Sequence, residues 1–312
     1  MQRLACLLIS SAATSTPTSA MEMLLDVIPI EEFIMAEAVR GSYRVERVGL
    51  WTDKAIGTTG KTKSHVDICN RARQELDLLG MPADRCKKTR MFERKFKCRI
   101  EERKEAVEWE RNLDKSPVRC YTDGSKYNDL VGAGAYIVHP HQTRTEHKSY
   151  FLGKLATVFQ AEVFAIEQVA ERLLEEEVCG KEIVVLSDSQ AAIKAIQNTV
   201  VQSNTVQRCI TNLSKLGESN RVTVTWIPGH AGIQGNEAAD HLAKQGTELS
   251  IEGPEPFISV PYATCTREIK GWMNKRWETS WKKSKSCQKT KEYVGWGSPS
   301  LRRKPKFGQE GN

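Results

Sequence analysis

The stretch "CYTDGSKYNDLVGAGAY", residues 120–136, decides how the chain folds. It reads as two strands, 119–124 and 133–138, joined by a short polar turn. Asp123 lies inside the first strand, where a lone buried carboxylate costs roughly several kcal/mol unless it is paired or binds a metal. The second strand opens on Gly132-Ala133-Gly134-Ala135, with almost no side chains. That run fits a strand kept thin for a closely approaching helix or backbone, and it also fits a flexible bulge.

Working outward, "HKSYFL" at 147–152 makes a third strand, which completes an antiparallel meander. A helix is expected over 157–178. Ile166, Val169, Ala170, Leu173 and Leu174 recur there at helical spacing, and Thr157 is placed to cap the start. "EIVVLSDS" is a continuous apolar strand ending at Asp188, as expected of a central strand buried on both faces. "QAAIKAIQNT" and "SNTVQRCITNLSKLG" read as helices, the second ending at Gly217. "RVTVTWIPG" is a last strand and "GNEAADHLAKQG" a last helix. Strands first, then strand–helix alternation, imply an α/β fold: a mixed sheet covered by helices.

Four acids occupy informative places: Asp123 in a strand, Glu162 on the apolar side of the long helix, Asp188 at a strand end and Asp240 among the alanines of the last helix. Asp188 also suits a plain helix cap. Lys126 and Lys244 are near in sequence, but a turn or loop away. Acids that converge without matched cations repel and raise one another's pKa, and divalent cations with oxygen preference relieve this. Two such ions roughly 3.5–4 Å apart clamp a phosphodiester for attack by water. His230 stands in Gly229-His230-Ala231-Gly232, a loop position where an imidazole can shuttle a proton. His139, His141 and His147 read as surface turn and strand residues.

The flanks differ from this middle. Of the 312 residues, those before 120 hold 22 basic and 18 acidic residues, those at 120–246 hold 11 and 14, and those at 262–312 hold 13 and 4. Basic flanks suit a polyanionic partner and an acidic middle suits metal ions. Residues 21–47 read as helices broken at Pro29. Residues 51–118 read as a basic connector of poor core-forming power, with a loop at 57–60 and cations from Arg85 to Arg99. A linker is expected at 253–257 and disorder at 297–312. Trp272, Trp277 and Trp281 alternate with cations, either to stack bases or to pack an amphipathic helix. The first twenty residues loosely resemble a secretory leader. The nine unpatterned cysteines instead fit a reducing, intracellular setting. No run of about 18 apolar residues occurs, so no membrane-spanning helix is expected.

"YTDGS", "FQAEVFAI", "VVLSDSQAAIKAI" and "WIPGHAGIQGNEAADHLAKQG" together resemble a type 1 ribonuclease H domain, over about residues 120–246 and in that family's order. The resemblance implies a five-stranded mixed sheet flanked by helices over 119–247. It implies metal-binding carboxylates at Asp123, Glu162, Asp188 and Asp240, a loop histidine at His230, and two Mg²⁺ ions, with Mn²⁺ as the alternative. The implied activity is endonucleolytic cleavage of the RNA strand of an RNA–DNA hybrid. Substrate contacts are implied at Gly124 and Ser125, at Thr157 as a DNA-phosphate position and at Gln190 in the minor groove. One departure is visible: some bacterial members carry a basic arm where residues 197–218 hold only Arg208 and Lys215. Residues 1–50 resemble the region after the polymerase in non-LTR retrotransposon polyproteins. The basic, Trp-containing 248–312 resembles the segment beyond the nuclease in the same polyproteins. The competing reading is a catalytically inactive, transposon-derived nucleic-acid-binding module.

Overall fold

The computed structural model describes residues 1–47, 65–76, 81–249 and 258–293. The expected loop at 57–60, linker at 253–257 and disordered tail at 297–312 lie outside them. The chain forms two compact units, Gly80–Thr264 and a second made of Met1–Leu79 with Cys265–Asn312. The second unit begins with helices α1 (Gln2–Ser10), α2 (Thr18–Leu25), α3 (Ile30–Arg47) and α4 (His65–Glu75). The expected break at Pro29 is present: α2 stops at Leu25 and α3 starts directly after the proline.

The unit Gly80–Thr264 contains β1 (Thr89–Arg90), β2 (Phe96–Arg99), α5 (Arg103–Arg111), β3 (Val118–Tyr127), β4 (Leu130–Val138) and β5 (Thr145–Gly153), then α6 (Val158–Glu175), β6 (Glu182–Ser187), α7 (Gln190–Gln197), β7 (Val200–Val201), α8 (Asn204–Leu216), β8 (Arg221–Trp226) and α9 (Gln234–Glu248). The main sheet runs β2-β8-β6-β3-β4-β5. Strands β3, β4 and β5 form the expected antiparallel meander; β3–β6, β6–β8 and β8–β2 are parallel. The sheet therefore has six strands rather than five. The additional strand is β2, from residues read as connector, and it covers the outer edge of β8. Its sequence signal was too short: four residues with one buried apolar side chain, Phe96, inside a run of cations.

The Gly-Ala run of β4 is explained by packing on both faces. Ala133 joins Ala161 and Ala165 of α6 in one core cluster. On the other face, a Cβ at Gly132 would lie 2.5 Å from Ala243 O and 2.6 Å from Thr247 N, and one at Gly134 would strike Ala239 O and Ala243 N. Helix α9 thus rests its backbone directly on the strand. It answers with its own glycine, Gly246, where a Cβ would lie 2.5 Å from Tyr150 O. The close approach is observed, and the pairing with β5 also shifts register between Val131 and Gly132, at the start of the run. Helices α6 and α8 bury Ile166, Leu173, Ile210 and Leu213 against Val185 and Val224, while Tyr121, Leu186, Ile227 and Ala239 form the core of the other face.

Residues 81–118, read as connector, are fixed to this unit. Asp84 is buried and accepts hydrogen bonds from Ser203 Oγ (2.8 Å), Thr205 N (3.0 Å) and Gln160 Nε2 (3.3 Å). Its charge also faces the N-terminus of α8, where the helix dipole favours an anion. Trp109 and Leu113 pack on the core cluster that contains Tyr121 and Ile227, and Tyr121 Oη donates to Glu110 at 2.8 Å. A charge-rich composition concealed these few anchors.

The other unit is completed by α10 (Tyr262–Lys283) and α11 (Gln288–Tyr293). Trp277 and Trp281 are buried with Met23, so packing, not base stacking, accounts for them. Trp272 donates from Nε1 to Glu75 at 2.9 Å, under the Arg276 guanidinium. Gly134→Ala should lower stability by about 2–3 kcal/mol in chemical denaturation, because α9 must shift. Gly271→Ala, in α10 with nothing within 4 Å of the added methyl, should instead gain roughly 0.5–1 kcal/mol.

Candidate active site

Asp123 lies on β3, beside Gly134 of β4 in the strand register. The next residue, Gly124, faces the opposite side, where a Cβ would lie 2.8 Å from Glu162 N and 2.9 Å from Ala161 Cβ. A glycine there lets the first turn of α6 touch the strand, which brings Glu162 to Asp123. The start of α6 is fixed by a capping box in which Gln160 N donates to Thr157 Oγ1 (3.3 Å) and Thr157 N to Gln160 Oε1 (3.2 Å). Asp188 follows the last residue of β6. It is not a helix cap, since Ser189 takes that role for α7 through Ala192 N (3.3 Å).

Each of Asp123, Glu162 and Asp188 offers an oxygen within 4.8 Å of the other two. Asp123 and Glu162 are only 7% exposed. Burial first, then the charges of Asp188 and Asp240, push Asp123 above the ordinary carboxylate range; burial, then Asp123 and Asp188, push Glu162 up as well. The Gly124 N–H opposes both shifts. Asp188 is raised by burial, against the Asn236 hydrogen bond and the charge of His230. The fourth acid differs from expectation. Asp240 is near enough for its charge to raise Asp123 but stands outside the close trio, 28% exposed, with Lys244 Nζ 2.6 Å from its Oδ2. The cation read as one turn away is the right partner for it, because positions four apart share a helix face.

His230 is exposed on the loop between β8 and α9, with φ 53° in the left-handed region. That loop leans on Asp188: a Cβ at Gly229 would lie 2.6 Å from Asp188 Oδ2. Three further residues escaped the sequence reading. Asn236 Nδ2 donates to Asp188 Oδ2 at 3.4 Å, Trp226 Nε1 to Asp188 O at 2.9 Å, and Arg103 Nη2 to Gly229 O at 3.3 Å. The only signal for Asn236 was its place one turn before Asp240. Arg103 lies outside the motif-bearing region altogether. Among the expected substrate contacts, Gly124 and Ser125 adjoin Asp123 on β3. Thr157 is engaged in its cap, and Gln190 opens α7 with its Oε1 accepting from Lys194 (3.1 Å).

A second acidic group supplies a control within the same protein. Glu146 lies with His139 and Glu176, but Arg144 and Arg172 fill that cluster. Burial alone would raise Glu146, yet bonds from His139, Arg172 and Arg144 hold it down to about 2. The Asp123 trio has no such arginines among the described residues. Glu162 Oε2 is buried without a hydrogen-bond partner. An all-carboxylate oxygen set with an orphaned buried acceptor fits a hard divalent cation.

Residues 115–248 match the family model described as RNase H. Over these residues the chain has an RNase H-like fold. The Pol polyprotein of equine infectious anemia virus, strain Wyoming, is 25% identical over 170 residues, covering 50% of this chain, and isolate 1369 matches to the same extent. The chain spans 14% of the length of these relatives. Among solved structures, RNase H1 of the halophilic archaeon Halobacterium salinarum is 22% identical, with TM-score 0.35, over 42% of this chain and 98% of that one. An N-terminal RNase H domain from Mycobacterium tuberculosis is 19% identical, with the same TM-score and coverage.

The raised carboxylates contribute to the pH dependence of the metal-free unit Gly80–Thr264. Stability they contribute is present below the unfolded values of about 4 and is lost as pH rises through neutrality, because the folded state holds the extra protons. Thermal melts in chelator should show this decline, and saturating Mg²⁺ should flatten it. Glu162→Gln should gain roughly 1–3 kcal/mol in chelator at pH 8 and lose the response to Mg²⁺.

Proposed function

We propose that this RNase H domain cleaves the RNA strand of RNA–DNA hybrids by metal-dependent hydrolysis, leaving a 3′-hydroxyl and a 5′-phosphate. The observation that carries this reading is the trio Asp123, Glu162 and Asp188, held within 4.8 Å with no cation matched to it among the described residues. With Asp240 at the rim, these acids would hold Mg²⁺, as two ions, or Mn²⁺ in its place. Bound there, the metal supplies charge neutralisation at the scissile phosphate and an acidified water. The protein's own groups do the rest. Gly124 and Ser125 present backbone beside Asp123, Thr157 and Gln190 flank the approach to the acids, and 2′-hydroxyls distinguish the RNA strand without base reading. His230, exposed beside Asp188, takes up or returns a proton at the mouth of the site.

The Pol polyprotein relatives and the resemblance of the flanks support an origin in a retroelement polyprotein, for which we favour the non-LTR class. Its substrate arises inside cells, where we expect it to act. No helix among the described residues is long and apolar enough to cross a membrane. The test uses a hybrid labelled on either strand, with Mg²⁺, Mn²⁺ or chelator. The full chain should cut only the RNA strand and only with metal, and Asp188→Asn should reduce turnover by at least roughly 10³-fold with folding intact. Unchanged turnover in that variant, or equal cutting of both strands, defeats the assignment.

A further inference from the structure

The basic segment read as connector has a specific seat in the structure. Strand β1 pairs antiparallel with β7, Arg90 opposite Val200 and Thr89 opposite Val201. Met91 N donates to Thr199 O at 2.9 Å, and Arg94 Nη1 to Gln197 O at 2.9 Å. The segment is therefore bound to the turn that follows α7, the helix that starts two residues after Asp188. From Asp188 to this seat is about one length of α7, ~12 Å for eight residues. Its other end is fixed through Asp84, which accepts from Gln160, two residues before Glu162 and part of the Thr157 capping box. Both attachments lead back to helices that carry or flank the acids.

Side chains alternate across this ladder. Met91 turns inward and packs on the core. Lys88, Arg90 and Phe92 take the opposite parity and are exposed, with Lys87 exposed beside them. Phe92 is 73% exposed. No ion pair occupies Lys87, Lys88 or Arg90 among the described residues. Residues 197–218 themselves hold two cations, and one, Arg208, is drawn to the buried carboxylate of Glu167 at 2.8 Å. Unpaired cations in a row with an outward aromatic suit the phosphates and the sugar or base faces of a nucleic acid. An acidic protein surface would account for the cations but not for the projecting ring.

We propose that Lys87, Lys88, Arg90 and Phe92 form a nucleic-acid-binding strip that grips the backbone of the substrate duplex and leads it to the acids. The strip deepens the hybrid-cleavage reading and rests on it for the identity of the duplex. Extended over residues 87–92 it reaches roughly 16 Å, enough for two or three successive phosphates.

Binding of a fluorescent RNA–DNA hybrid to the full-length chain, measured in chelator across a salt series, tests the strip without cleavage. The triple variant K87A/K88A/R90A should bind roughly 10-fold or more weakly at low salt, with the slope of log affinity against log salt reduced by about 2–3. Phe92→Ala should lose several-fold in affinity at an unchanged slope. The variant K181A/R221A, which removes two exposed cations at the opposite end of β6 and β8, should change neither the slope nor the affinity by more than about twofold. An unchanged slope in the triple variant overturns the proposal. So does an equal loss in K181A/R221A, which would mean general surface charge. A chain that binds through the strip yet leaves RNA intact in Mg²⁺ would refute the cleavage reading and keep the strip.

Discussion

Helices α6 and α9 reach Asp123 because β3 and β4 carry no side chains where those helices cross. At Gly124 the backbone of α6 touches one face of the sheet; at Gly132 and Gly134 the backbone of α9 touches the other. A methyl at any of these positions would sit at or inside 3 Å of main-chain or Cβ atoms. The constraint is steric, and its consequence is electrostatic: Glu162 and Asp240, from two different helices, arrive beside one strand carboxylate.

The resulting repulsion is not relieved by the protein alone. Glu146, in the same unit, shows the usual solution, two arginines and a histidine around one half-buried acid, with its pKa held down to about 2. At the Asp123 trio the shift has the opposite sign. Lys244 attends only the outermost acid, Asp240. The two clusters differ in the chemistry left available. The first is a closed ion-pair network; the second is a set of oxygen ligands with an unsatisfied acceptor at Glu162 Oε2.

Residues before the stretch that matches the RNase H model contribute to its fold. Strand β2 closes the β8 edge, α5 covers the core face below the His230 loop, and Arg103 reaches the carbonyl of Gly229. A dense run of cations in sequence signals solvent exposure, and for Lys87, Lys88 and Arg90 that is what the structure has. The same run conceals Asp84, Phe96 and Trp109, three anchors spaced too widely to leave a periodic pattern.

The amino-acid sequence by itself determined the α/β class, the meander, the capped helix after Thr157 and the identity of the acids. Those features are written in local periodicity and in short motifs, and local preferences act between residues near in the chain. Tertiary structure decided which acids meet. It set Asp240 at the rim of the trio, buried Trp277 and Trp281 with Met23, and brought the backbone of α9 onto the Gly-Ala run. It also added the sixth strand and fixed Asn236 and Trp226 on Asp188. Each of these depends on distances between residues tens to hundreds of positions apart, and no spacing along the chain encodes them.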